Sequence, residues 1–165
     1  MITPREFMEL PSNGALEALA ITPDGALLTL PENPPKRTGT IPIYRYKDGV
    51  WNIAAYLPRS GGFQATGADV GPDGALYVLE RALSALGFRT RIRRITLDAA
   101  RPTAETVLQT GLGTHDNLEG LSVWKSSSGA TCLSLVSDDN FLSVQVSELV
   151  EYAVTETLAG GATCD

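Results

Sequence analysis

The chain has 165 residues, of which 43% are apolar and 19% charged, with 16 Gly and 10 Pro; that fits one domain with a real core and excludes two full domains or a disordered chain. A formal charge of −6 excludes a general nucleic-acid binder, which needs a basic face for phosphates. No apolar run approaches the roughly 20 residues of a membrane span.

Residues 1–6 show no basic stretch leading into an apolar one, so no export signal is expected in this chain. The first structural signal is a hairpin. Leu19-Ala20-Ile21 and Ala26-Leu27-Leu28-Thr29-Leu30 flank Thr22-Pro23-Asp24-Gly25, whose glycine tolerates the positive φ of a tight turn. Two amphipathic strands follow, 41–47 and 50–57, joined at Asp48-Gly49. The hairpin then recurs 49 residues on, as Ala68-Asp69-Val70, Gly71-Pro72-Asp73-Gly74 and Ala75-Leu76-Tyr77-Val78-Leu79. Strands at 89–97 and 103–110 complete that unit. A third, looser copy runs from Leu121-Ser122-Val123-Trp124-Lys125 through Ser126-Ser127-Ser128-Gly129 to Cys132-Leu133-Ser134-Leu135. Its entry, Leu118-Glu119-Gly120-Leu121, matches Leu16-Glu17-Ala18-Leu19 at an offset of 102. A strand at 148–155 follows, residues 141–147 carry no clear pattern, and residues 158–165 read as a tail.

Four strands every 50 residues or so, with both hairpin strands nearly all apolar, is the pattern of β-propeller blades covered on both faces. A β-sandwich would not repeat itself internally in this way. The expected fold is all-β: a single partial propeller domain over 1–165, with three four-stranded blades near 14–58, 64–110 and 115–156 and a tail at 157–165. Three blades do not close a ring, so either self-association or missing N-terminal blades is expected.

Five stretches carry a family likeness: Leu16-Glu17-Ala18-Leu19-Ala20, Tyr77-Val78-Leu79-Glu80-Arg81, Gly87-Phe88-Arg89-Thr90-Arg91-Ile92-Arg93-Arg94-Ile95, Asp116-Asn117-Leu118-Glu119-Gly120-Leu121 and Leu135-Val136-Ser137-Asp138-Asp139-Asn140-Phe141. Together they resemble the bacterial family called "esterase-like activity of phytase". The resemblance implies a six-bladed ring roughly twice this length, of which this chain is the C-terminal half. It also implies a periplasmic or secreted location and hydrolysis of phosphoesters or simple esters.

In each hairpin the start of the first strand and the end of the second lie side by side, away from the turn. That end collects acids. Glu17 and Glu32 flank the first hairpin, Glu80 and Arg81 end the second, and Glu119 faces Asp138-Asp139-Asn140. Carboxylates and an amide oxygen converging on a channel mouth suit a hard cation such as Ca²⁺, so Glu17, Glu119, Asp138 and Asp139 are candidate metal ligands. With His115, a lone histidine beside Asp116, the acids Glu17, Glu119 and Asp139 are candidate catalytic groups. Arg81, Glu80, Asp69 and Asn140 are candidate contacts to a small anionic or ester substrate. Each has a plainer alternative: strand-end caps for the glutamates, an Asx-rich turn for 138–140, a surface loop for His115, and a salt bridge to Arg81 for Asp69. Arg89, Arg91 and Arg93 share one face of their strand while Arg94 points opposite with Ile92; that face is expected to be solvated and paired with neighbouring acids, with a phosphate-rich ligand as the alternative.

No Gly-x-Ser-x-Gly elbow, P-loop, His-Glu-x-x-His or Cys-x-x-Cys is present, which leaves serine-hydrolase and nucleotide chemistry unsupported. Cys132 and Cys164 are compatible with one disulfide or two free thiols. The functional expectation is a metal-assisted hydrolase with its site at the channel mouth. The alternatives are a non-catalytic ligand- or protein-binding propeller and an inactive structural half of a longer protein.

Overall fold

Three loops of one geometry set the architecture. At 22–26, 71–75 and 126–130 the N–H of the first residue donates to the carbonyl of the fifth, and the glycine N–H donates back to the first carbonyl. Gly25, Gly74 and Gly129 sit at φ of 78°, 76° and 88°, a region that costs other residues about 1–2 kcal/mol. The serine-rich turn therefore folds as the two Pro-Asp-Gly turns do, because glycine is the residue the turn demands. The computed structural model describes residues 3–34, 39–97, 102–154 and 163–164.

These turns join β1 (Leu16–Ile21) to β2 (Leu27–Pro31), β5 (Gln64–Val70) to β6 (Leu76–Ser84) and β9 (Leu118–Lys125) to β10 (Thr131–Ser137). The first sheet continues with β3 (Thr40–Lys47) and β4 (Val50–Pro58), and the second with β7 (Gly87–Thr96) and β8 (Thr103–Gln109). The third ends at β11 (Leu149–Val154), making it three-stranded among the described residues. Every pair is antiparallel and sequential. The patternless residues after Phe141 form a connecting loop rather than a strand. Asp48 and Gly49 both take positive φ, as a two-residue hairpin turn requires.

The sheets stack face to face, with β5 between β1 and β9. Ala18, Ala20, Leu28, Leu30, Ile41, Ile43 and Leu57 meet Ala65, Ala68, Leu76, Val78 and Ile95 in one core. Tyr77, Leu79 and Ile92 meet Leu118, Val123, Leu133 and Leu135 in the other. Each fully buried Leu or Ile contributes about 1.5–3 kcal/mol. Small residues on the inner strands let the sheets converge. A Cβ on Gly67 would stand 2.6 Å from the backbone oxygen of Glu119, so β5 and β9 approach as closely as they do only because residue 67 has no side chain.

The turn ends are tied by charge. Asp24 pairs with Arg45 at 2.9 Å and with Lys47, and at the repeat-equivalent place Asp73 pairs with Arg94 at 2.5 Å. The Lys47 hydrogen bond, with that from Thr22, holds the Asp24 carboxyl well below the usual carboxylate range. Tyr77 is 2% exposed and its hydroxyl donates to Asp73 at 3.2 Å. Burial, reinforced by the Asp73 charge, pushes its phenol up to about 12. In the unfolded chain this phenol ionises near its ordinary value of 10.0, so between those two values the unfolded state holds fewer protons and stability falls as pH rises. Tyr77→Phe is expected to flatten that alkaline slope, read as denaturation midpoints across pH 9 to 12. An unchanged slope would place the titration elsewhere.

Two terminal segments clasp the ends of the stack. A short 3-10 turn, Arg5–Glu9, absent from the sequence reading, sets Phe7 edge-on to Tyr44 at 4.8 Å and Trp51 at 5.0 Å on the first sheet. At the other end Cys164 is disulfide-bonded to the buried Cys132 of β10, with Cα atoms 5.8 Å apart. Most of the expected tail, and residue 155 of the last expected strand, lie outside the described residues. Trp124 packs on the third sheet and donates to Ser134 Oγ at 2.9 Å.

Candidate functional site at the open end of the inner strands

Each inner strand carries a one-residue bulge at the same place. The register skips between Leu16 and Ala18 in β1, between Ala65 and Gly67 in β5, and between Leu118 and Gly120 in β9. The extra residues are Glu17, Thr66 and Glu119. A bulge re-aims its side chain out of the pleat, which is how acids are carried at the ends of otherwise apolar strands. Thr66 uses its hydroxyl on the Leu118 carbonyl at 3.3 Å. Glu17 is exposed and makes no ion pair or hydrogen bond among the described residues.

One residue beyond the pairs Leu16–Pro31, Ala65–Glu80 and Leu118–Ser137 that flank the bulges stand Glu32, Arg81 and Asp138, equivalent to one another by register. Arg81 occupies the central sheet and reaches both neighbours. Its Nη2 donates to Glu32 Oε1 at 3.1 Å in the first sheet, and its Nη1 donates to Glu119 Oε1 at 2.8 Å and to Asn117 Oδ1 in the third. Asn117 is fully buried and its Nδ2 donates to the same Glu119 oxygen at 2.8 Å. Glu119 is thus held by one carboxylate oxygen, and Oε2 has no protein partner among the described residues. Its side chain is 35% exposed, so that free oxygen is open to solvent.

The remaining candidates fall elsewhere. Glu80 is not a substrate contact: it is fully buried on the opposite face of β6 from Arg81, where Arg91 Nε donates at 2.8 Å, Arg93 Nε donates at 2.7 Å, and Arg93 Nη2 also bonds it. The same finding corrects the expected solvated arginine face, because Glu80 sits directly opposite Arg91 in the register and draws both guanidiniums inside. Only Arg94 and Arg89 keep a surface character, Arg89 lying over Phe63. Asp69 does not pair with Arg81. It is opposite Tyr77, near the turn end of the hairpin, whereas Arg81 is opposite Gln64 at the other end of β5; its Oδ2 instead accepts the Val123 N–H of β9 at 2.7 Å, stitching two sheets.

His115 has both ring nitrogens engaged, Nδ1 with Glu148 at 3.3 Å and Nε2 with the Tyr152 hydroxyl. It fixes the 138–148 loop to β11 and has no nitrogen free for acid–base work. Burial beside the Glu148 charge raises the Tyr152 phenol. Asp138, Asp139 and Asn140 shape the same loop: Asp138 Oδ1 accepts the Asn140 N–H at 3.0 Å, Asp139 accepts the Phe141 N–H at 2.9 Å and the Ser147 hydroxyl at 3.1 Å, and Asn140 bonds Gln145. Among the described residues no three His, Cys, Asp or Glu side chains converge to hold a metal ion. Glu17, Glu119, Asp138 and Asp139 do not converge among the described residues: Glu119 is turned to Arg81, Asp138 Oδ1 and Asp139 Oδ1 accept backbone amides, and Asp139 Oδ2 accepts the Ser147 hydroxyl.

The loop also walls a cavity of about 810 Å³ between the second and third sheets, lined by Gln64, Arg81, Phe88, His115, Asn140 and Val144, among others. Leu142, Val144 and Val146 line it while 53%, 86% and 60% exposed, an apolar rim beside the Arg81 cation. Asn117, Glu148, Thr66 and Gln64 belong to this region and were missed from sequence. The bulge positions were detectable, since Glu17, Thr66 and Glu119 align once the repeat is written out.

A model of the phytase-like family described as "Esterase-like activity of phytase" matches residues 1–141. The chain belongs to that family. None of the curated protein sequences matches it. Among solved structures it is similar to the GH93 α-L-arabinofuranosidase of Fusarium graminearum with arabinobiose, at 18% identity and a TM-score of 0.56, covering 92% of this chain and 47% of that one. It is also similar to the Penicillium chrysogenum α-L-arabinanase complexed with arabinobiose, at 18% identity and a TM-score of 0.51, covering 77% and 43%. Those likenesses make the three sheets blades of a β-propeller. This member of the phytase-like family spans less than half the length of either structure. No described helix is long and apolar enough to cross a membrane.

Proposed function

We propose that the chain supplies one arc of the channel-mouth site of an ester hydrolase, acting on phosphoesters or simple esters. Glu119 is the carboxylate that takes a proton from the attacking water, and Arg81 is the cation that holds the substrate's anionic oxygen. The observation that carries this reading is the state of Glu119: borne on a bulge, fixed through Oε1 by Arg81 and Asn117, and open at Oε2. A carboxylate so held is pre-positioned, and a general base contributes typically 10²–10⁴-fold. The neighbouring cavity, which shares Arg81, gives the substrate body an apolar rim. No step runs through a metal. Export to an oxidising compartment is part of the proposal, supported by the disulfide.

The test is turnover of p-nitrophenyl acetate and p-nitrophenyl phosphate by the chain and by Glu119→Gln. Loss of about a hundredfold or more in kcat, with KM little changed and no effect of chelator, is expected. Full activity in Glu119→Gln overturns the assignment of Glu119. An inactive parent chain that still binds acetate or phosphate at Arg81 would favour a non-catalytic binding propeller.

A further inference from the structure

The second blade reaches further at the open end than its neighbours do. β2 and β10 stop at Pro31 and Ser137, the register counterparts of Glu80, whereas β6 runs on through Arg81 to Ser84 and stays paired with residues 87–90 of β7. Arg81, Leu83 and Phe88 fall on one face of that projection, since Leu83 is opposite Phe88 and two residues from Arg81. The Arg81 guanidinium lies 5.9 Å from the centre of the Phe88 ring, and the Gly113 N–H donates to the Phe88 carbonyl at 2.8 Å, which holds the projection in place. On the other side the 138–148 loop brings Leu142, Val144 and Val146 to the same space. The cavity of about 810 Å³ therefore has an apolar wall from each of two blades, with Arg81 set in one of them.

Charge decides what can enter. Arg81 is the one Lys or Arg among the described residues of the lining, and it already pairs with Glu32 at 3.1 Å and Glu119 at 2.8 Å, two acids for one cation. The lining adds two more carboxylates. Asp116 accepts the Asn117 and Val146 N–H groups at 2.8 and 2.7 Å, and Glu148 accepts the Asp116 N–H at 2.7 Å, so the backbone fixes both in the wall. A phosphate dianion reaching Arg81 has to displace a tethered carboxylate while lying near others. An uncharged molecule meets no such cost and gains contact with Leu83, Phe88, Leu142 and Val144.

We propose that this cavity takes the apolar body of an uncharged carboxylic ester and excludes phosphoesters. The inference rests on the hydrolase reading of Glu119 and Arg81 and narrows it to one of two substrate classes. In that reaction the water oxygen bonds to the carbonyl carbon as Glu119 takes its proton, and the carbonyl electron pair moves onto the oxygen beside Arg81. When the pair returns, the bond from carbon to the alcohol oxygen breaks, and Glu119 gives the proton to the leaving oxygen. The products are a carboxylic acid and an alcohol.

Two fluorescent probes that differ by one sulfonate test the charge rule without turnover: N-phenylnaphthylamine, which is uncharged, and anilinonaphthalene sulfonate. The intact chain is expected to bind the uncharged probe at least about tenfold more tightly than the sulfonate. Val144→Asp, at a largely exposed position, is expected to weaken the uncharged probe about tenfold with far-UV circular dichroism unchanged. Leu19→Asp, on the first blade and away from the cavity, is expected to leave that binding as it is. In turnover, p-nitrophenyl butyrate is expected to be hydrolysed in preference to p-nitrophenyl phosphate. Equal or tighter binding of the sulfonate, or probe binding indifferent to Val144→Asp, would overturn the inference. Faster turnover of the phosphate ester would overturn it too, while leaving Glu119 and Arg81 as the site. Probe binding with the expected preference in a chain that hydrolyses neither ester would instead sink the hydrolase reading and keep the uncharged, apolar ligand.

Discussion

Replacing Glu80 with Gln is expected to destabilise the fold by about 3–5 kcal/mol, because it leaves two buried guanidiniums without their counter-charge. Arg91 and Arg93 are each 6% exposed and Glu80 is fully buried. The single carboxylate accepts from both, and the guanidiniums go on to Ser60 Oγ at 2.8 Å and the Pro58 carbonyl at 2.7 Å. That arrangement anchors the connection between the first and second blades to the middle of the second. Arg91 also lies 4.2 Å above the Phe63 ring, which adds a cation–π contact in a desolvated place. A domain of this size has about 5–15 kcal/mol in all, so the variant should melt far below the parent or fail to accumulate folded. A companion variant keeps the test decisive. Glu80→Leu with Arg91→Leu and Arg93→Leu removes all three charges together and is expected to recover much of the loss, as apolar replacement of buried ion groups often does. If Glu80→Gln melts with the parent, the cluster is hydrated and its burial has no energetic weight.

That cluster also shows where sequence reading stops. The blade repeat was legible because it rests on local chemistry: glycine at each turn, alternating or continuous apolar strands, and spacing. It held even at Ser126-Ser127-Ser128-Gly129, where proline and aspartate are gone but the glycine stays. Side-chain partners across strands were not legible, since they depend on register and on which face each residue takes. Arg91 and Arg93 read as surface residues because nothing local announces that Glu80, eleven and thirteen residues earlier, accepts from both. Asp69 was rightly read as deeper than Glu17, but its partner is a backbone amide of another blade, which no pattern encodes. At the open end of the inner strands the acids were legible and their partners were not. Converging carboxylates suggest a cation, yet one arginine on the central blade satisfies Glu32 and Glu119 together, and the turn amides absorb Asp138 and Asp139. The bulges explain why Glu17 and Glu119 are tolerated beside apolar strands; the repeat aligns Glu17, Thr66 and Glu119 at one position, and the pairing register shows that the position is an extra residue.

Reducing the Cys132–Cys164 bond is expected to lower stability by about 4 kcal/mol, from the entropy of a loop spanning 32 residues. For a domain of this length that corresponds to a fall of roughly 8–16 °C in Tm. The bond joins the buried Cys132 to a residue beyond the last described strand, where Thr163 O accepts from Ser128 Oγ at 3.3 Å. It therefore holds the chain's end against the outer side of the third blade, as the Arg5–Glu9 turn covers the first. Repeat stacks need such terminal covers because an end unit lacks the neighbour that seals the others. Cys164→Ala is the cleaner variant, since Cys132 is fully buried and its truncation would add a cavity cost of its own. The expected result is that Cys164→Ala and the reduced parent melt together, well below the oxidised parent. Equal melting of oxidised and reduced protein would mean that the segment stays in place without the bond, and that the third blade's cover rests on packing alone.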